Sequence, residues 1–253
     1  MFKIAALVSL FVTFTLAAPN SDGRIVGGRD AVRRQAPFSV SVRNTGTDFH
    51  VGGGAMISDR WIVTCASILQ GRADTSFDVA LGIVQLSQSS VSGSVIRRSA
   101  EIVPHPGFIL SSMINDIGLI RLGGVGSVSF STFIMPIFFE ATRWDSPATS
   151  VLSGWGSQSS LGPVGDTMQI LLTETMTNEE CEQILGRTLT RDVVCTRNND
   201  GSGLCANDRG SPLVAGLQLI GIASSSEACG TTRPNIYTRL SSYRTWIGSI
   251  TGI

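Results

Sequence analysis

The sequence predicts an all-β fold. Glycine is frequent, with 28 in 253 residues, and Val, Ile, Thr and Ser recur in short runs. Runs of that kind, separated by residues that turn easily, read as many strands joined by tight turns. The helical signatures are short: Thr177 with Glu180 three residues later forms a capping box, and Tyr243, Trp246, Ile247 and Ile250 fall on one helical face. The length fits one or two domains.

Charge excludes some function classes. Basic and acidic residues balance at 19 and 19, so no basic excess points to nucleic acid and no acidic tail to disorder. Residues 1–17 read as a signal peptide: Lys3 gives the positive start, Ile4–Leu16 the apolar core, and Thr15-Leu16-Ala17 the small residues for cleavage after Ala17. That core is short for a bilayer, and no later stretch reaches the ~18 consecutive apolar residues of a spanning helix, so no membrane role is expected. A secreted, extracellular chain permits disulfides. Five cysteines, Cys65, Cys181, Cys195, Cys205 and Cys229, leave one over after two pairs, and no Asn-X-Ser/Thr sequon is present.

In chain order, the polar stretch 18–24 precedes Ile25-Val26-Gly27-Gly28. Phe38-Ser39-Val40-Ser41-Val42 alternates as a strand, and Gly52-Gly53-Gly54-Ala55-Met56-Ile57 leads to Trp61-Ile62-Val63-Thr64-Cys65-Ala66-Ser67-Ile68. The segment Thr75–Val91 holds a single acid, Asp78, too few charged oxygens to hold calcium, and no metal is expected. Asn115-Asp116-Ile117, Gly154-Trp155-Gly156, Asn207-Asp208-Arg209-Gly210-Ser211-Pro212 and Pro234-Asn235-Ile236-Tyr237-Thr238-Arg239 follow. In this order and spacing they resemble the trypsin/chymotrypsin-like serine protease family, from Ile25 to Ile253.

The resemblance implies two antiparallel six-stranded β-barrels, at about 25–136 and 148–242, joined by a linker at 136–147, with a C-terminal helix at about 243–253. It implies a short activation propeptide, 18–24. An upstream trypsin-like protease would cut after Arg24, and the freed Ile25 amine would pair with Asp208. Inheritance of that device without use is the alternative. It implies disulfides Cys181–Cys195 and Cys205–Cys229. The family bridge between the positions of Gly52 and Ile68 is lost at both ends. Cys65 is then a buried unpaired thiol, or else an intermolecular one.

The catalytic positions depart from the family. Ser67 stands at the general-base histidine, Arg209 at the nucleophilic serine, and only Asp116 matches. A serine hydroxyl does not exchange protons usefully at neutral pH, and a guanidinium has no lone pair to attack with. The two histidines, His50 and His105, align elsewhere. Partners open to Asp116 are Ser67, Ser224 and Arg209, and Arg209 either reaches Asp116 or points to solvent. Gly203 replaces the aspartate of tryptic specificity, and Ser224-Ser225-Ser226 replaces Ser-Trp-Gly. Asn235 narrows the pocket, and Asn207 replaces an oxyanion-hole glycine, which is expected to distort that hole.

The expected function is therefore a secreted, non-catalytic serine protease homologue that binds a protein or peptide partner and needs no cofactor. Two further readings stand beside it. One is a conventional secreted endopeptidase, as the fold-level match suggests. The other is a cleft that binds an anionic ligand at Arg209.

Overall fold

A computed structural model describes residues 25–88, 90–139, 147–157, 159, 161–226 and 229–253, with Ser226 in its backbone alone. The signal peptide, the propeptide with Arg24, and most of the linker lie outside the described residues.

The first barrel comprises β2 (Ser39–Asn44), β3 (His50–Met56), β4 (Trp61–Thr64), β5 (Phe77–Leu81), β6 (Val95–Pro104) and β7 (Gly118–Leu122). It closes in the order β2-β3-β4-β7-β6-β5, every pair antiparallel. The second comprises β8 (Thr149–Gly154), β9 (Gln169–Met176), β10 (Val193–Arg197), β11 (Pro212–Ala215), β12 (Gln218–Ser226) and β13 (Asn235–Arg239). Its sheet runs β9-β10-β13-β12-β11-β8, and β8 pairs back onto β9 to close it. A short β1 (Arg29–Asp30) pairs with β9.

Strand alternation explains the barrel interiors. Val40 and Val42 of β2 enter the first core with Met56, Ile62, Phe77 and Ile120. Their polar neighbours Ser39 and Ser41 are also buried, because the outer face of β2 meets the second barrel. There Ser39 Oγ lies 2.6 Å from Ser153 Oγ. The glycine run of β3 has a related cause. A Cβ on Gly53 would stand 2.9 Å from Ser211 Cα, and the Gly53 N–H donates to the Arg209 carbonyl at 2.8 Å. Side chains at Gly52 and Gly53 would push apart the two barrels at the place where the Arg209 loop is held.

The chain start requires a correction. Residues 25–31 do not open the first barrel. Ile25 is fully buried in the second core with Leu152, Leu213 and Tyr237, and Val26 bridges Gly203. Burial of an apolar residue and a strand edge far along the chain outweigh sequence proximity.

Among the described residues, three short α-helices complete the fold: α1 (Ala66–Leu69), α2 (Asn178–Leu185) and α3 (Arg244–Thr251). Thr177 and Glu180 form the capping box of α2, and Gly186 ends it at φ 70°. Tyr243, Trp246, Ile247 and Ile250 pack into one core with Trp61, Leu119 and Leu219, which ties α3 to both barrels. Disulfides join Cys181 to Cys195 and Cys205 to Cys229. No helix among the described residues is long and apolar enough to cross a membrane.

Candidate functional site

Asp116 sits at the seam of the two barrels, just before β7. Its backbone is held from three sides. The preceding residue, Asn115, adopts φ 55° and is pinned by the Gly107 carbonyl (2.7 Å) and the Tyr243 hydroxyl (2.8 Å). The Asp116 carbonyl accepts from Thr238 Oγ1 at 2.7 Å. The carboxylate is fully buried and accepts three hydrogen bonds: Ser67 N at 2.7 Å, Ser67 Oγ at 3.2 Å and Ser224 Oγ at 2.7 Å. Burial raises its pKa, and those donors work against the rise. A buried carboxylate without a histidine is costly only if it lacks donors, and here two serines supply them.

Arg209 takes no part in that cluster. Its side chain is exposed and forms no ion pair among the described residues; its field reaches Asp116 only as the weakest influence on that carboxylate. Of the two directions open from the sequence, solvent is the one adopted.

Cys65 is a free, fully buried thiol, 3.4 Å from Ser67 Oγ. Burial and then the charge of Asp116 push it up to about 12, so it stays neutral. At Gly52, a Cβ would lie 3.3 Å from Ile68 Cδ1. The isoleucine thus reaches into the space beside Gly52 and packs on the cores on both sides.

Neither histidine approaches Asp116. His50 lies between Ser41 Oγ (Nδ1 at 2.9 Å) and the Asn207 carbonyl (Nε2 at 3.3 Å), with its ring 5.8 Å from Trp155. Burial lowers it to about 4, so it is neutral at physiological pH. His105 stays in its turn and packs its ring on Tyr243 and Trp246. The link from Ser41 through His50 to the Asn207 loop was not legible in the sequence, since His50 and Asn207 are 157 residues apart and meet only where the two barrels pack.

The Arg209 loop is fixed by its backbone. Asp208 N–H donates to Cys205 O, Ser211 N–H to Asp208 O, and Gly210 N–H to Ala223 O, at 3.2, 2.9 and 2.8 Å. The buried Asp208 carboxylate accepts from Gly156 N and Cys205 N, each at 2.9 Å. Burial pushes it up to about 7 against those two bonds, and no cation faces it among the described residues. In the uncut chain the Ile25 nitrogen is an amide and not an ammonium. Asn207 stands at φ 67°. The left-handed turn expected to require glycine is retained, because asparagine tolerates this region better than most side chains.

Two cavities meet at Ser224 and Ser225. One, of about 140 Å³, lies against Leu204–Ala206, Asp208 and Arg209. The other, of about 290 Å³, lies between the turns at 111–115 and 187–193. Beside the smaller one, Asn235 is buried and accepts from Leu204 N at 3.0 Å. Its amide occupies the space that a side chain on Gly203 would need. The Ser226 side chain lies outside the described residues.

Paired six-stranded barrels with a buried aspartate at their seam define the chymotrypsin class of serine protease scaffold. The Trypsin family model matches residues 25–247. Trypsin I-P1 of Gallus gallus is 30% identical over 251 residues, 97% of either chain. Chymotrypsin-2 of Vespa crabro is 32% identical over 224 residues, 88% of this chain and 98% of its own. Trypsin delta of Drosophila erecta is 30% identical over 234 residues, 90% of this chain and 89% of its own. The chain belongs to the trypsin family.

Proposed function

We infer that this chain is a secreted, non-catalytic member of the trypsin family that acts by binding a protein or peptide in its cleft. One observation carries the reading: the Asp116 carboxylate is bonded by Ser67 and Ser224, and no imidazole lies beside it among the described residues. Loss of one triad member typically costs ~10⁴-fold or more in kcat, and two are replaced here, by Ser67 and Arg209. The neighbouring nucleophiles do not substitute. Cys65 is buried and neutral, and the hydroxyl of Ser224 is committed to Asp116.

The activation device belongs to the same proposal. Cutting after Arg24 by a trypsin-like protease would free the Ile25 ammonium, the partner that the buried Asp208 carboxylate lacks. The relatives named trypsins and chymotrypsin favour the opposing reading, a secreted endopeptidase.

A fluorophosphonate probe and a mixed peptide library, applied to the protein cut after Arg24, decide between the two. The expected result is neither labelling nor cleavage. Reproducible labelling that survives Arg209→Ala would reveal another nucleophile and defeat the proposal.

A further inference from the structure

The strand directions give the first barrel two unlike ends. Beside the cleft, β4 finishes just before Ser67 and β7 begins just after Asp116. At the far end β2, β4 and β6 begin and β3, β5 and β7 finish, with Ser39 paired to Ala55, Leu81 to Val95 and Trp61 to Arg121. The described residues that form this far end, within 31–38, 57–60, 82–97 and 123–135, carry Arg33, Arg34, Arg60 and Arg97 against a single acid, Asp59. The only lysine of the chain is Lys3, so every cation here is a guanidinium. Basic and acidic residues balance over the whole chain, so this pole comes from placement and not from composition.

Local contacts hold these cations in place without neutralising them. Arg33 lies over the Phe133 ring, 3.9 Å from its centroid, and its Nη2 donates to the Ser92 and Gly82 carbonyls at 2.8 and 3.3 Å. Arg34 lies 5.1 Å from the same centroid, with its backbone at φ 77°. One aromatic face thus gathers two exposed guanidinium groups. Arg60 is exposed in the turn between β3 and β4, and Arg97 is half-buried with its Nε unpartnered. None of the four forms an ion pair among the described residues, whereas Arg98 and Arg121 of the same barrel are paired with Asp78 and Glu101. Two acids of the adjoining second barrel are engaged elsewhere, Asp30 by Gln169 and Asp166 by Ser87.

We propose that this arginine pole docks a sulfated polysaccharide and anchors the chain while the cleft, at the other end of the barrel, stays open. The shape of the surface selects the partner. The cavity beside Arg33 and Arg34 measures about 10 Å³, which barely admits one water, so a compact ligand finds no enclosure. An extended polyanion needs none, because it binds through many shallow charge contacts. Each sulfate offers several oxygens to a guanidinium fork. A stiff polysaccharide holds its anions in place and loses less freedom on binding than an acidic peptide, whose carboxylates sit on mobile stems. A nucleic acid would also use aromatic faces for stacking, and Arg33 already covers Phe133. The site lies apart from Ser67, Asp116 and Arg209, so the proposal stands whether or not the cleft is catalytic.

The test measures affinity of the mature chain for heparin, desulfated heparin, polyglutamate and duplex DNA at low salt, by surface plasmon resonance. Heparin is expected to bind most tightly, and to be released towards about 1 M salt, where the Debye length falls to about 3 Å. The double variant Arg34→Gly with Arg60→Gln is expected to weaken heparin binding about tenfold, since each exposed charge contact contributes modestly. Glycine suits φ 77° at position 34, so the fold is kept, and a melting curve checks this. Arg60→Gln alone, at an exposed side chain, is expected to give a smaller loss in the same direction. Arg72→Gln removes the same charge beyond α1, at the cleft end of the barrel, and is expected to leave heparin binding unchanged. No heparin binding at low salt, or equal binding of desulfated heparin, overturns the proposal. Polyglutamate or DNA binding as tightly as heparin overturns it too, by assigning the pole to an acidic protein or a nucleic acid. A folded double variant that binds as well as the parent, or an equal loss in Arg72→Gln, removes the pole as the site.

Discussion

At the scale of single residues, the side chains at the cleft depart from the family pattern in several places, and the departures fit one another. Ser67 and Ser224 now satisfy Asp116, and Asn235 occupies the space beside Gly203. Restoring the reactive pair alone therefore leaves specificity unrepaired. The double variant Ser67→His with Arg209→Ser is expected to react with fluorophosphonate yet to show no preference for Lys or Arg before the cut in a peptide library. A tryptic preference in that variant would mean that Asn235 yields to a long side chain. The serine partners of Asp116 were legible in the sequence because the family alignment puts both hydroxyls at the aspartate. The direction of Arg209 was not. It depended on whether three donors already filled the carboxylate, which only the closed seam decides.

At the scale of elements, β3 and α1 meet where a family disulfide is absent. Ile68 bridges them by packing instead of by a covalent bond. Ile68→Ala is expected to cost about 2 kcal/mol, the low end for a buried aliphatic, because part of the side chain is exposed. An unchanged urea midpoint with an unchanged slope would show that the contact contributes nothing. Element types were readable where local physics dominates: the alternation of β2, the capping box of α2, and the apolar face of α3 were all visible in residue spacing. The placement of Ile25 was not, since its burial comes from strands β8, β11 and β13, more than a hundred residues away. The conformation of Asn207 was equally hidden, because the side chain that tolerates a left-handed turn also tolerates an ordinary one.

At the scale of the whole molecule, two buried groups set opposite responses to acid. Asp208 is held at about 7, above its ordinary 3.8, so its contribution to stability is complete below about 4 and is lost as pH rises through about 7. His50 is held at about 4, below its ordinary 6.5. The unfolded chain binds its proton more readily over that interval, so stability rises with pH there. The two offset one another up to about 6.5, and above that His50 no longer opposes Asp208. Thermal unfolding of the uncut chain is expected at a lower temperature at pH 8 than at pH 6.5. Asp208→Asn flattens that decline, and so does cutting after Arg24, which supplies an ammonium. An uncut chain with a level profile between those values would show that Asp208 is already ionised. Position 209 has a separate consequence. The bonds that fix this turn run through main-chain atoms: Gly53 N–H to the Arg209 carbonyl, Gly210 N–H to Ala223, and Ser211 N–H to Asp208. The scaffold is therefore indifferent to what residue 209 displays. A library of all twenty amino acids there is expected to change what the cleft displays and to leave the melting temperature close to that of the parent chain.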